Sequence, residues 1–334
     1  MDKITKGYIN SHKFPIVYEL KDRSMNLKEC LDYILNNQDP IKQHLHTIGA
    51  VLFRGFPFQG VDDFASFLHA IGTGDAIDYV GGDSPRNKIK GNIYTSTEAP
   101  PSFKIPLHNE LSFVKKYPNH IFFFCETPSP EGGETMIANA RKVYNTVDKE
   151  VKKRFTDFGL KYVSRYYCKS KLIDLMNRIQ RGHKTWMEVL ETDKKELVEE
   201  KCRANDFEYK WNKDDWLEIS QKRPAVMPYP TTGEMIWFNQ AHLYDFNPRL
   251  LGWQKYFGAK LVYCRPHTRY HEIYFGNGAP VPRKDLYHIL DTLDQNTVAF
   301  PWQKGDVLAL DNVLSMHGRM PFTGKRRILT AMTR

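Results

Sequence analysis

The sequence predicts an α+β fold whose antiparallel core is closed or sandwiched as a jelly roll, with a helical insertion and flanking helices. Apolar segments typical of strands occur in both halves of the 334-residue chain. Between them, residues from about 141 to 225 are charged and helix-prone. Aromatic residues make up 13% of the chain, which favours strands over an all-helical design. We therefore expect one domain over residues 1–334, with a helical insert and candidate lid at about 141–225.

The elements of the first half follow from apolar periodicity and from the positions of glycine and proline. Gly55 ends an apolar strand, and Phe64 and Phe67 lie on one face of an amphipathic helix. In chain order we expect a strand at 49–54, a helix at 62–71, a loop at 81–85, a strand at 120–125, a turn at 128–133 and a short strand at 134–138.

Strand patterns return after the insert. Short apolar segments bounded by turn residues alternate here with one amphipathic helix. The expected strands are 235–238, 261–264, 297–300, 307–310 and 328–332, and the helix is 285–293.

The charge of the chain restricts its partners. The formal net charge is +9 and the pI is near 9.1. Lys and Arg are interleaved with Asp and Glu, and the densest basic run, 152–154, is short. Nucleic acid is therefore not the expected partner. Attraction of an acidic small molecule or an acidic carrier protein explains the charge at least as well.

Cysteine usage and the N-terminus predict a cytoplasmic protein. The chain has five Cys at wide spacing without a CxxC motif, which favours reduced thiols over disulfides or a zinc site. Residues 1–6 lack an apolar signal core, and no run of about 18 apolar residues occurs. We expect no association with a membrane.

His108 and Glu110 form the first candidate metal pair. Residues i and i+2 of a strand point to the same face, so both side chains can reach one ion while Asn109 points away. A His-x-Glu sequence is common by chance, and on its own it also fits a solvated strand edge.

His317 is the third candidate ligand. It follows the apolar strand 307–310, which places it just beyond a strand end on a rigid scaffold. Taken alone, it also fits a structural histidine that is hydrogen-bonded in the core. Together with His108 and Glu110 it makes the 2-His-1-carboxylate set, which binds one face of Fe(II) and leaves other positions open.

Two arginines and a threonine provide candidate anion contacts. Arg326 and Arg327 begin an apolar strand, so one points inward and the other outward, and the sequence does not decide which. A buried arginine needs an anionic partner, which a dicarboxylate cosubstrate would supply. Thr135 follows a Gly-Gly turn, and its hydroxyl could bond the same carboxylate. A surface basic pair and a simple hairpin turn are the alternatives.

The combination of these motifs resembles the taurine dioxygenase and clavaminate synthase-like family of Fe(II)/2-oxoglutarate oxygenases. The resemblance extends from about residue 48 to residue 332. The matching segments, in the family's order, are 49–56 (GAVLFRGF), 107–110 (LHNE), 130–135 (PEGGET), 232–234 (TGE), 305–307 (GDV) and 317–322 (HGRMPF).

The resemblance implies a double-stranded β-helix core, Fe(II), 2-oxoglutarate and O2. It implies that His108, Glu110 and His317 are the iron ligands. It also implies that Thr135 and Arg326 hold 2-oxoglutarate, with Arg327 still open because the spacing from the second histidine varies in the family. The expected outcome is oxidation, in most members hydroxylation, of an unactivated C–H bond.

Two departures narrow the expected reaction. Glu110 replaces the Asp of many members, as in the clavaminate synthase-like branch, and a carboxylate here argues against halogenation. Thr330 and Ala331 stand where taurine dioxygenase has a sulfonate-binding arginine, so that mode of recognition is not expected.

Segments 94–98 and 237–242 are most similar to members linked to nonribosomal peptide pathways. The implied substrate is a small polar molecule, an amino acid that is free or attached to a carrier protein. The candidate substrate contacts are Tyr94, Ser96, Trp237, Asn239 and Gln240, each of which also fits ordinary packing or strand-end hydrogen bonding.

Three alternatives remain at this point. A zinc hydrolase also uses His and Glu ligands, but no HExxH motif occurs and the arginine has no role. A nucleic-acid demethylase on a related core fits the basic pI but lacks a basic-aromatic stripe. A catalytically silent binding protein would have no reason to keep all three ligands.

Overall fold

The computed structural model describes residues 3–77, 86–168, 184–212, 214–262 and 269–334. The helices of these segments are numbered in chain order, and a 3-10 turn lies at Ala241–Leu243. They are α1 (Leu27–Asn36), α2 (Gln38–Ile48), α3 (Val61–Ile71), α4 (Ala140–Thr146), α5 (Lys149–Phe158), α6 (Trp186–Leu190), α7 (Lys195–Ala204), α8 (Pro248–Leu251), α9 (Trp253–Val262) and α10 (Arg283–Gln295).

The strands form three larger sheets and two short two-stranded pairings. In chain order they are β1 (Ile4–Tyr8), β2 (Ile16–Leu20), β3 (Ala50–Arg54), β4 (Lys88–Lys90), β5 (Ile93–Thr95), β6 (Ile105–His108), β7 (His120–Thr127), β8 (Glu131–Gly132), β9 (Thr135–Asn139), β10 (Leu160–Tyr166), β11 (Glu208–Trp211), β12 (Leu217–Arg223), β13 (Val226–Pro228), β14 (Met235–Trp237), β15 (His271–Phe275), β16 (Val298–Phe300), β17 (Val307–Asp311), β18 (Ser315–Arg319), β19 (Phe322–Thr323) and β20 (Arg327–Thr333).

The largest sheet has eight strands in the order β1-β2-β3-β17-β7-β20-β5-β4. Its central strand β7 is apolar on both faces. Alternate residues of a strand point to opposite faces, so those of β7 pack into two separate hydrophobic cores, one on each side of the sheet. Phe122 and Phe124 pack against α1, α2 and α3. Ile121, Phe123 and Cys125 face the opposite way. Helices therefore cover one face of this sheet, and the other face is free to meet a second sheet.

That second sheet has four strands in the order β16-β9-β18-β6. Ile137 of β9 and Phe300 of β16 share one core with Leu308, Leu310 and their neighbours in the large sheet. The other face of the four-stranded sheet packs on α4, α5 and α10 through Met136 and Met316. The candidate site lies on the face of β9 and β18 that is directed toward the large sheet.

The helical prediction for 141–225 is only partly correct. Among the described residues of this range, four helices, α4 to α7, lie wholly or largely within it, but so do the strands β10, β11 and β12. These strands form a separate antiparallel sheet, ordered β11-β12-β10-β15, whose last strand comes from outside the insert. The apolar alternation of β12 is interrupted because Ser220 and Gln221 are polar although both are buried, so the local sequence lacks a clear strand pattern.

Most other predicted elements match within a few residues. The strands expected at 49–54, 120–125, 134–138, 235–238, 297–300, 307–310 and 328–332 are β3, β7, β9, β14, β16, β17 and β20, and the two predicted helices are α3 and α10. The strand predicted at 261–264 is wrong for residues 261 and 262, because these residues are the end of helix α9. Residues 263 and 264 lie outside the described residues. The loop expected at 81–85 also lies outside them.

Within the described segments, no helix is long and apolar enough to cross a membrane. Cys30, Cys125, Cys168 and Cys202 carry free thiols. Burial raises the pKa of Cys30 and Cys202 to about 11, so both thiols stay protonated at neutral pH.

Candidate active site

The three predicted metal ligands meet at one point. His108 ends β6 and pairs directly with His317 in the middle of β18, with ring centroids 4.5 Å apart. The Oε2 of Glu110 lies 3.6 Å from the Nε2 of His317. One donor atom from each residue lies within 4.8 Å of the other two. The prediction that His317 lies just beyond a strand end is wrong, because the sequence Ser315–Arg319 continues as a strand between β6 and β9.

Gly318 shows why the residue after this histidine is small. A Cβ at Gly318 would lie 2.5 Å from the carbonyl oxygen of Ile105 and 2.8 Å from Met136. Any side chain here would push β6 away from β18 and would therefore separate His108 from His317.

Glu110 reaches the histidines from a turn. The strand expected through 108–110 ends at His108, and Asn312 holds the turn after it. The Glu110 N–H donates to Asn312 Oδ1 at 2.7 Å, and Asn312 Nδ2 donates to the Glu110 carbonyl at 3.0 Å. Asn109 points away as predicted, and its side chain donates to the Asn312 carbonyl at 2.7 Å. Asn312 is fully buried and is a positioning residue.

Replacing Asn312 with serine is expected to lower the affinity for Fe(II) about 10- to 100-fold, because the turn that presents Glu110 loses its supports. Anaerobic titration with Fe(II) or Mn(II) measures this. Asn296→Ser is the matched control, since Asn296 is also buried and its amide also donates to a backbone carbonyl, that of Thr292 at 2.8 Å. Equal metal affinity in the two variants would contradict the role given to Asn312.

The electrostatics suit a metal that prefers one carboxylate and two neutral imidazoles. Burial and the neighbouring His317 lower the pKa of His108 to about 3, so its ring is neutral at neutral pH. Its Nδ1–H donates to the Pro106 carbonyl at 2.9 Å, which leaves Nε2 as the ligand atom. Burial alone would raise the pKa of Glu110. The opposite charge of Arg86, whose amino nitrogen lies 2.5 Å from Glu110 Oε2, and the two nearby histidines instead hold this pKa well below its usual range.

A buried histidine outside this set also holds β6 in place. His242 is fully buried, and its Nε2–H donates to the Leu107 carbonyl at 2.9 Å. Burial lowers the pKa of His242 from 6.5 to about 4. Between pH 6.5 and about pH 4, His242 is therefore protonated in the unfolded chain but neutral in the folded chain. The free energy of unfolding falls as the pH falls through this range.

We expect the wild type to lose about 2 kcal/mol more unfolding free energy than His242→Gln between pH 7 and pH 5. Urea unfolding at the two pH values gives the difference, and the variant keeps an amide that can donate to Leu107. Parallel pH dependences in the two proteins would show that His242 is not held neutral in the folded state.

The candidate ligands line a cavity of about 270 Å³ that also contains Thr135 and Arg326, two of the three predicted anion contacts. Its wall combines cationic, polar and aromatic side chains. The lining residues are Arg86, Ser96, Thr97, Ile105, His108, Glu110, Phe113, Phe123, Thr135, Gln240, Leu243, Tyr244, His271, His317, Gly318, Arg319 and Arg326.

Arg326 points into this cavity and Arg327 points away from it. Arg327 is 45% exposed and its Nε lies 2.6 Å from Glu126 Oε2. Arg326 donates from Nε to the Gly133 carbonyl at 2.9 Å, and no acidic side chain of the described residues lies within ion-pair distance of it. Burial, together with the nearby Arg319, lowers the pKa of Arg326 to about 10. A desolvated cation of this kind attracts an anionic ligand.

Arg319 also lines the cavity, but its guanidinium is already occupied. It donates to the carbonyls of Ala99 at 3.0 Å, Pro100 at 2.7 Å and Phe103 at 3.0 Å. These bonds fasten the 99–103 loop to β18. Of these two arginines, Arg326, which makes one such bond, therefore has more donors left for a ligand than Arg319, which makes three.

Thr135 lies on the same cavity wall at the start of β9. Its hydroxyl accepts a hydrogen bond from Trp302 Nε1 at 3.1 Å, so the Thr135 O–H remains free to donate. Gly133, with φ +73°, allows Arg326 to pass, because a Cβ there would lie 2.9 Å from Arg326 Cδ. The glycine of this turn is therefore needed to leave room for the Arg326 side chain, in addition to connecting the two strands.

The predicted substrate contacts divide into two groups. Ser96 and Gln240 line the cavity. Trp237 does not, because it is fully buried against Phe155 in the core beneath β9 and β18. Asn239 is also buried, and its side chain donates to the Ala225 carbonyl at 2.8 Å.

Tyr94 also lies outside the cavity lining, with Lys88 over its ring at 5.7 Å. The contacts predicted at Tyr94, Trp237 and Asn239 are therefore corrected to packing and hydrogen bonding within the fold.

Several cavity residues carried no sequence signal. Arg86 stands alone after a Pro, and His271 lies in β15, far along the chain from every motif. His271 Nδ1 lies 3.0 Å from the hydroxyl of Ser164 in β10. Arg319 stood inside a matching segment, but that match did not indicate its three backbone bonds.

The residues present fit an Fe(II) ion. Two imidazoles, one of them held neutral by burial, and one carboxylate converge from one side, and the cavity opens on the other side. This is the donor set of a facial triad with positions left for further ligands.

Residues 17–333 match the family described as taurine catabolism dioxygenase TauD, TfdA family. The chain belongs to this family, and it is a dioxygenase that uses Fe(II), 2-oxoglutarate and O2. The predicted family, enzyme class and cofactors are confirmed, and a zinc hydrolase or a catalytically silent protein is not supported.

Two relatives share about a third of their residues with the chain. A clavaminate synthase-like protein of Arabidopsis thaliana is 33% identical over 292 residues, which are 86% of this chain and 82% of that protein. The dapdiamide synthesis protein DdaC of Enterobacter agglomerans is 32% identical over 294 residues, 88% of this chain and 84% of that protein. A putative alpha-ketoglutarate-dependent taurine dioxygenase from Burkholderia xenovorans has the same fold, with a TM-score of 0.53 at 16% identity over 99% of this chain and 92% of that one.

Proposed function

We propose that this enzyme oxidises, by hydroxylation, an unactivated C–H bond of a small polar substrate, an amino acid or amino-acid derivative. One observation carries the proposal: a triad of candidate iron ligands shares a cavity of about 270 Å³ with a partly buried arginine, Arg326, that has no acidic side chain within ion-pair distance in the described chain. A second anion contact and a polar wall complete this cavity.

The chain's own residues have separate tasks in this reaction. His108, Glu110 and His317 hold the iron, and Arg326 with Thr135 binds the carboxylate of 2-oxoglutarate that lies far from it. When bound, Fe(II) and 2-oxoglutarate supply the O2-dependent oxidising chemistry. Phe113 and Phe123 make part of the cavity wall apolar, which keeps bulk water from the reacting C–H bond.

The rest of the wall suggests the substrate class. Ser96, Thr97, Gln240, Tyr244 and His271 offer hydroxyl, amide and imidazole groups that can bond an amino group, a carboxylate or an amide. The relative DdaC carries dapdiamide synthesis in its name, which supports an amino-acid-derived substrate in secondary metabolism. The net charge of +9 is compatible with a substrate attached to an acidic carrier protein as well as with a free one.

The architecture proposed for this reaction is a double-stranded β-helix, in which the eight-stranded and four-stranded sheets enclose the site, within a single domain over 1–334. The sheet β11-β12-β10-β15 is the proposed lid. Its strand β15 supplies His271 to the cavity, and the bond from His271 to Ser164 links that residue to the insert. A lid of this kind would keep the oxidising centre from the wrong target. The free thiols are compatible with the proposed cytoplasmic location.

Succinate formation tests the proposal. Iron-loaded protein receives 2-oxoglutarate and O2, first alone and then with a panel of free and carrier-bound amino acids. We expect slow succinate formation alone, faster formation with the substrate, and one oxidised product per succinate. Succinate formation that no amino acid or amino-acid derivative accelerates would overturn the proposed substrate class. A complete lack of succinate would overturn the roles proposed for the site residues.

A further inference from the structure

A second cluster of potential metal donors lies outside the cavity already described. It consists of His46 near the end of α2, His120 at the start of β7 and Asp311 at the end of β17. One donor atom from each lies within 4.8 Å of the other two. None of the three residues lines the cavity of the candidate active site.

Asp311 is held in one orientation. Its Oδ1 accepts hydrogen bonds from the backbone N–H groups of Val313 at 2.9 Å and Leu314 at 3.0 Å. Its Oδ2 accepts a bond from the Tyr229 hydroxyl at 2.7 Å and lies 3.5 Å from His46 Nδ1. One oxygen is thus used by the backbone, while the other is directed toward the histidines, as in a carboxylate ligand whose orientation is set by its neighbours.

The two histidines differ in their exposure to solvent: His120 is buried and can hold an ion firmly, whereas His46 is partly exposed and can admit it. His120 is buried, and its Nδ1 lies 3.5 Å from the Thr333 hydroxyl, which limits rotation of the ring. Burial also lowers the pKa of His120, so the ring is in the neutral form that can bind a metal. The side chain of His46 is 43% exposed, and its ring centroid lies 6.0 Å from that of His120. An ion can therefore enter from solvent past His46.

We propose that His46, His120 and Asp311 form a second metal site, for a divalent ion of the zinc type. Two imidazoles and one carboxylate favour Zn²⁺ over Mg²⁺ or Ca²⁺, which select oxygen donors. Ligand bonds of about 2 Å in a tetrahedral site require the donors to approach by roughly 1 Å, and rotation of the half-exposed His46 supplies this movement. Water completes the coordination, while the Tyr229 hydroxyl, which donates to Asp311 Oδ2 and lies 3.1 Å from His46 Nδ1, orients these two ligands.

Occupation of this site would join three elements that are distant in the chain. It would tie α2 to the large sheet through β7 and β17. Asp311 also begins the turn in which Asn312 holds Glu110, so the ion would stabilise the support of the active-site carboxylate. The bound ion is therefore expected to raise the melting temperature of the protein.

The test must separate this site from the catalytic one. The double variant His108→Ala/His317→Ala removes two of the three iron ligands and receives Zn²⁺ alone, with binding followed by calorimetry and by competition with a chromophoric chelator. We expect one equivalent to bind. Adding His46→Ala should weaken this binding at least about 100-fold, because a direct ligand contributes more than a supporting residue. Adding His69→Ala, an exposed histidine at the end of α3, should leave it unchanged.

A second measurement covers the case in which the double variant does not fold. Wild-type protein should bind two equivalents of Zn²⁺ and His46→Ala only one, and Zn²⁺ should raise the melting temperature of the wild type more than that of His46→Ala. Absence of zinc binding in a folded double variant, or one equivalent in both the wild type and His46→Ala, would overturn the second site. In that case the three residues would form only a polar cluster in which His46 is paired with Asp311.

Discussion

Replacement of His317 with alanine is expected to lower succinate formation at least about 100-fold. His317 lies in the middle of β18, between the partner strands that present His108 and Thr135. Losing a residue that merely supports a ligand costs about 10- to 100-fold in metal affinity or activity, so losing the ligand itself should cost more. Anaerobic Fe(II) titration and succinate formation, measured at the same enzyme concentration, show whether binding and turnover fall together.

His69→Ala is the control for this experiment, because His69 is exposed on α3 and belongs to neither donor cluster. Circular dichroism verifies that the His317→Ala variant is folded. A folded variant that retains wild-type Fe(II) affinity and turnover would contradict the assignment of His317 as a ligand, and with it the proposed site.

Replacement of Arg326 with methionine is expected to raise the KM for 2-oxoglutarate by about 30-fold to several thousand-fold. Truncating one partner of a buried charge pair costs about 2–5 kcal/mol, and each 1.4 kcal/mol is about tenfold in affinity. Arg326 is the cavity arginine proposed to bind the far carboxylate, since Arg319 donates to three carbonyl groups and Arg86 is paired with Glu110. The KM from succinate formation, with direct binding of 2-oxoglutarate measured anaerobically, gives the effect.

The neighbouring residue provides a matched control. Arg327→Met removes the same charge one position along the chain, but from an exposed side chain paired with Glu126. It should change the KM for 2-oxoglutarate by less than about threefold, because exposed ion pairs contribute little. If both variants raised the KM equally, the effect would come from the net charge of the region and not from a contact made by Arg326.

The orientations of Arg326 and Arg327 could not be predicted from the local sequence. Alternation in a strand predicts that one of two adjacent residues points inward, and this is correct. Which of them does so depends on register, and the register of β20 shifts between Arg327 and Ile328 where it pairs with β7. An irregularity of this kind arises from the pairing of distant strands, so neither residue's own neighbourhood reveals it.

The position of Glu110 and the strands of the insert also depend on contacts with distant parts of the chain, so the local sequence did not predict them. The Glu110 carboxylate reaches the histidines because the side chain of Asn312, some two hundred positions away, bonds both the backbone N–H and the backbone carbonyl of Glu110. In the insert, β10 pairs with β12 and also with β15, which lies beyond it in the chain. Buried polar residues such as Ser220 and Gln221 of β12 weaken the period-2 signal, and long-range pairing overrides local helix propensity.

The enzyme class and the candidate metal ligands can be identified from the linear chain alone. A His-x-Glu pair, a later histidine and the segments around them depend on chemistry that only those side chains can perform. Contacts in the folded chain were needed to show that Arg326 and not Arg327 faces the cavity, that Trp237 and Asn239 belong to the core, and that Arg86 and His271 complete the wall. Side-chain chemistry is a property of single residues, whereas orientation and burial are set by contacts between segments that lie far apart in the sequence.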